Sequence, residues 1–217
     1  MEPIITFVIS QSILFPIIIG LIRFKTIKVE HLPFFLLLIA GVITEVASFF
    51  LIEKNTSNAI PTNIFELIEW LLLSYQFYIW GFLKKKKRLF FLLFVFPVLV
   101  WLVENIIFKK ITVFSPYFRI LDAFLITLMS ITEINFKITH DNKNLFRSAK
   151  FIICIGLILF FVYQILYEWA YQISIIGEAT RLTSTISSLF SYISALANII
   201  FGIAFLVMPS HREFKLE

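Results

Sequence analysis

Seven stretches of roughly 20 mainly apolar residues follow one another along the chain, at about 4–22, 32–53, 60–83, 88–108, 115–136, 149–172 and 182–208. A helix needs about that many residues to cross roughly 30 Å of hydrocarbon. The segments between them are short, so nothing long remains for a separate soluble domain. Backbone groups find no partners in lipid, so the spans must be helices and not an open sheet. The reading is a single all-α domain over residues 1–217, a polytopic bundle of seven transmembrane helices. Met1-Glu2-Pro3 lacks basic residues and no small-residue cleavage site follows, so the first stretch is expected to be a retained span.

Of 217 residues, 59% are hydrophobic and 15% charged, against about 45–50% and about 25% in soluble domains. A soluble fold of this size could not cover that much apolar surface, which excludes an ordinary soluble enzyme and a disordered chain. The single cysteine, Cys154, excludes an intrachain disulfide. A net charge of +5 would suit nucleic acid in another context. Here the cationic residues lie mainly in loops, where membrane proteins carry them anyway, so no nucleic-acid partner is expected.

The basic residues also set an orientation. Arg23, Lys25 and Lys28, the run Lys84–Arg88, then Lys137, Lys143, Arg147 and Lys150, and finally Arg212 and Lys215 fall on one side. Only Lys54, Lys109, Lys110, Arg119 and Arg181 fall on the other. The positive-inside rule predicts an outside N-terminus and a cytoplasmic C-terminus.

Ionisable residues inside spans carry most of the functional information, because each is costly in hydrocarbon. Span two holds Glu45; span three holds Asn63, Glu66 and Glu69; span four holds Glu104 and Asn105. Span five holds Arg119, Asp122 and Glu133, and span six holds Gln164, Tyr167 and Glu168. With a rise of about 1.5 Å per residue, Glu45, Glu66, Glu69, Glu104, Asp122 and Glu168 all lie about 6–14 Å below the outer ends of their helices. Helical spacing puts Asn63, Glu66, Trp70, Ser74 and Phe77 on one face of span three, with Glu69 on its flank. Arg119, Asp122, Ser130 and Glu133 form one stripe of span five.

These alignments predict an acidic pocket open to the outside. Its candidate lining is Glu45, Asn63, Glu66, Glu69, Arg119 and Asp122, with Tyr167 and Glu168 at the rim. Arg119 is the one base among six acids, expected to pair with Asp122 on its own helix or with Glu66 across the bundle. The remaining carboxylates must be hydrated, protonated or paired with a cation. For each residue a plainer role stands beside the functional one. Glu66 and Glu69 can bridge helices, Glu104 and Glu168 are close enough to the interface to be solvated, and Pro97 is expected to kink span four. The run Lys84–Arg88 is a topology anchor first and an anionic-lipid contact second.

Absences narrow the field further. Span seven has no lysine for a retinal Schiff base. His31, His140 and His211 fall on the predicted inner side, away from the acidic layer, which argues against a histidine-zinc hydrolase. HExxH, GxSxG and Walker patterns do not occur. No cofactor is expected, and oxygen-ligated divalent metals remain open.

Thr44-Glu45, together with the run from Asn63 through Glu66 to Glu69, resembles a group of small bacterial seven-span membrane proteins. The resemblance implies the same fold and a bacterial inner-membrane location, and brings no activity, cofactor or site role with it.

Three kinds of function remain. One is a binding or sensory protein with an outward acidic pocket for a cationic or polar small ligand, working with a cytoplasmic or membrane signalling partner. The others are a small ion-coupled transporter and an intramembrane enzyme that uses carboxylates on lipid. Scarce glycine, with 6 in the chain, and the lack of an internal repeat count against the transporter. Membrane lipid is a partner in every case.

Overall fold

A computed structural model of the chain describes residues 9, 11–81, 83–108, 111–140, 145–175 and 181–208. The described residues contain seven α-helices and no strand. They are α1 (Leu14–Ile22), α2 (Leu32–Glu53), α3 (Ala59–Trp80), α4 (Lys87–Leu102), α5 (Pro116–His140), α6 (Ala149–Ile175) and α7 (Arg181–Val207). Each coincides with one of the apolar stretches in the sequence. The part of the first stretch before Gln11 lies almost wholly outside the described residues.

Four segments are long and apolar enough to cross a membrane: Val29–Glu53, Lys87–Ile107, Ala149–Ser174 and Thr183–Val207. The apolar run Gln11–Ile22 is shorter. Two further helices, α3 with 22 residues and α5 with 25, are long enough but fall outside that set by composition. They are the helices that carry Glu66, Glu69, Arg119, Asp122 and Glu133.

Local chemistry sets the helix ends. Pro33 occupies the first turn of α2, where its missing N–H costs nothing. Gln76 of α3 holds that same end, its Oε1 accepting from Phe34 N at 3.0 Å while its Nε2 donates to Glu30 O. Gly81 ends α3 at φ +112°, a backbone conformation that side chains disfavour. Pro97 breaks one rung inside α4, and Trp70 Nε1 donates to Phe94 O in that same stretch at 3.1 Å. Past Leu102 the helix widens into a π-helical turn, Val103–Ile107.

The helices close into a ring. Successive helices pack against each other, α3 also meets α5, and α7 returns to α1. Arg23, just past α1, donates to Phe205 O at 3.2 Å, to Met208 O at 2.7 Å and to Leu206 O. It thereby satisfies carbonyls left open at the end of α7. Asn198 Nδ2 bonds Ser12 Oγ at 2.9 Å, and Gly202 leaves room for the Phe15 ring. Phe34 and Phe35 of α2 meet Phe201 and Phe205 of α7 in edge and tilted ring pairs. Leu21, Phe49, Leu92, Phe96, Leu99, Leu166 and Leu196 are exposed on the outside. An apolar exterior on a helical bundle is compatible with a membrane location.

Candidate functional site

The site is built where α3, α5 and α6 meet. Arg119 projects from the first turn of α5, and its side chain is 13% exposed. Its Nε lies 2.7 Å from Glu66 Oε1 of α3, and its Nη2 lies 3.0 Å from Glu168 Oε1 of α6. Glu66 and Glu168 are buried, Glu168 completely. The guanidinium contacts only Oε1 of each carboxylate, and neither Glu66 nor Glu168 accepts a protein hydrogen bond at either oxygen.

Two more acids belong to this cluster. Asp122 lies one turn along α5 from Arg119 and is fully buried. Neither of its oxygens has a protein hydrogen-bond partner. Its charged neighbours are Glu69, Glu66 and Arg119. Glu69 is buried as well, with Arg119 as its charged neighbour. One guanidinium therefore faces four buried acids: Glu66, Glu69, Asp122 and Glu168. The surplus acids are neutral or require a positive charge from elsewhere, because isolated ionised groups are not sustained in such surroundings.

Aromatic rings flank the guanidinium. Arg119 Cζ sits 5.7 Å from the centre of the Phe114 ring, and Phe114 meets Tyr171 edge-on. Tyr167, half-buried, is an electrostatic neighbour of Arg119 and stacks on Phe190 at 4.6 Å. The Phe114 face meets the guanidinium, while Tyr167 and Tyr171 stack on one another with centroids 6.5 Å apart, so aromatic rings border the acidic cluster, a setting suited to cations.

A second network holds α5 in position. Glu104, in the π-helical turn, accepts from Phe118 N at 2.9 Å and from Tyr117 N at 3.4 Å. A carboxylate there meets both the open N–H groups and the positive end of the α5 dipole. Asn63 Nδ2 donates to Ile111 O at 3.0 Å and to Val113 O at 2.8 Å, while its Oδ1 accepts from Ser115 N at 3.3 Å. Trp101 Nε1 donates to Asn63 O at 2.9 Å, and Ser115 Oγ donates to Asn105 Oδ1 at 2.8 Å. Asn63 therefore fastens the α4–α5 connection onto α3, which delivers Arg119 to the cluster.

Of the residues expected to line a pocket, the structure brings together Glu66, Glu69, Arg119, Asp122 and Glu168, with Tyr167 beside them. Asn63 lies next to them with its amide committed to the loop. Glu45 stands apart. It is exposed on α2 and makes no hydrogen bond or ion pair among the described residues. Its helical position matches that of Phe34, but beyond Gly41 only Ser48 of α2 is buried, so no neighbour covers the carboxylate.

Arg119 pairs with Glu66 and Glu168, not with Asp122 on its own helix. Glu104 and Glu168, near enough to the interface to suggest solvation, are 3% and 0% exposed. The capping role of Glu104 was missed because it depends on where a loop returns. The only sequence signal for it was an acid ahead of Ser115-Pro116, a helix start.

Among the described residues no group of three His, Cys, Asp or Glu side chains is arranged to hold a metal ion. No protein-family model, curated protein or solved structure matches the chain.

Proposed function

We propose that this chain is a seven-span membrane protein, N-terminus outside, whose acidic cluster binds a cationic small ligand and works as a receptor or sensor. The observation that carries the reading is the imbalance of the cluster: four buried acids share one guanidinium, and Asp122 is left with no protein partner on either oxygen. A small amine would supply the missing charge and hydrogen-bond donors together. The rings of Phe114, Tyr167 and Tyr171 would face its alkyl or quaternary groups. Passing a signal inward would fall to a partner that contacts the basic loops on the opposite side, in a bacterial inner membrane.

The test is a melting-temperature screen of the detergent-solubilised protein against ammonium, choline, putrescine and spermidine. The reading expects at least one amine to raise the melting temperature of the wild type and to lose that effect in Asp122→Asn. No response to any amine, or the same response in Asp122→Asn, would overturn it. The second reading is an ion-coupled transporter, favoured by Ser130 Oγ and Gln164 Oε1, which are buried without protein partners. Uptake of the responding amine into proteoliposomes decides between the two.

A further inference from the structure

An open-sided crevice of about 230 Å³ begins about one helical turn along α5 from Asp122, between the end of α3, the start of α4 and the middle of α5. Its walls are formed largely by Phe77, Leu89, Leu93, Leu125, Leu128 and Met129. Leu83 and Leu89, which also line it, bracket the run Lys84–Arg88. Lys84, Lys87 and Arg88 are exposed and make no hydrogen bond or ion pair among the described residues. Exposed basic residues thus stand between two leucines that line the apolar slot, at the start of a helix, α4, whose residues are mostly turned outward.

We infer that this crevice is a binding site for an anionic phospholipid, one acyl chain lying in the slot and the phosphate meeting Lys84, Lys87 and Arg88. The inference does not rest on the amine-binding reading. Apolar walls open to the side suit a chain already dissolved in the bilayer, which loses little on entering. Cationic side chains next to a membrane surface each contribute about 1 kcal/mol toward anionic lipid. The one acid in the walls, Glu133, has Lys150 and Lys137 as charged neighbours, so it sets no unopposed negative field against the headgroup. A zwitterionic lipid would fill the slot equally well but would gain little at the rim, so the site selects by headgroup charge.

The experiment uses the full chain, stripped of lipid in detergent. Dioleoylphosphatidylglycerol, dioleoylphosphatidylcholine and glycerol 3-phosphate are titrated while the melting temperature is followed. Phosphatidylglycerol should raise it at far lower concentration than phosphatidylcholine, and glycerol 3-phosphate should leave it unchanged. Replacing Lys84, Lys87 and Arg88 together by Gln should weaken the phosphatidylglycerol response roughly tenfold or more. Leu93→Trp, which fills the slot, should weaken it as well. Should Leu93→Trp fold poorly, Leu128→Trp at the more exposed wall serves the same purpose, since Leu128 is 44% exposed. Equal responses to the two lipids, or a response that neither the rim nor the slot variants reduce, would overturn the inference. A response to glycerol 3-phosphate matching that to the lipid would do the same, since it would mark a phosphate site with no use for the chain.

Discussion

Arg119 of α5 and Glu66 of α3 meet Nε to Oε1 at 2.7 Å, and the same guanidinium reaches Glu168 of α6. One side chain therefore joins three helices through charge. Removing either partner of such a buried pair leaves an uncompensated ion, which typically costs about 3–5 kcal/mol. Arg119→Met should lower the melting temperature in detergent by many degrees. Arg119→Met combined with Glu66→Gln and Glu168→Gln should recover much of that loss, because no bare charge is left behind. A triple variant no more stable than the single one would show that the guanidinium acts by packing.

Glu104 holds the start of α5 through Phe118 N and Tyr117 N. Losing a helix cap costs about 0.5–2 kcal/mol. Glu104→Ala should destabilise the protein by about that amount, and Glu104→Gln by less, since its amide oxygen still accepts one hydrogen bond. Thermal melts of the two variants under one condition test the order.

Asn63 uses its amide nitrogen as donor to two loop carbonyls and its oxygen as acceptor. Asn63→Asp keeps the shape and loses the donors, setting a carboxylate oxygen against Ile111 O and Val113 O. It should destabilise at least as much as Asn63→Ala. Hydrogen exchange should show faster labelling at 111–118 in both variants.

Glu45 gives the contrasting case. Exposed and without a partner, it should tolerate Glu45→Gln within about 0.5 kcal/mol. Its replacement should leave any amine response of the cluster unchanged. A melting-temperature shift of several degrees, or loss of the amine response, would place Glu45 in the site after all.

Helix positions were legible because apolar length and helical spacing are local properties of a sequence. The predicted face of α3, Asn63, Glu66, Trp70, Ser74 and Phe77, is buried throughout; of the α5 stripe, Asp122, Ser130 and Glu133 are buried and Arg119 is partly so. Partner choice was not legible. Arg119 selects Glu168 because α6 packs beside α5, which no spacing within α5 encodes. Glu104 reaches Phe118 N only because the connection doubles back beneath Asn63. Depth along α2 sets Glu45 level with the other acids, but it lies beyond the point where neighbours cover that helix, and depth does not encode which way a side chain faces.

The three carbonyls at and just past the end of α7 that Arg23 gathers have a consequence for synthesis. Their donor emerges from the ribosome some 180 residues before they do. On that side α1 must wait uncovered until α7 has been made, so the α1–α7 seam closes only after α2 to α6 have been synthesised. A chain that stalls in α7 leaves α1 with an open flank, a ready mark for quality control.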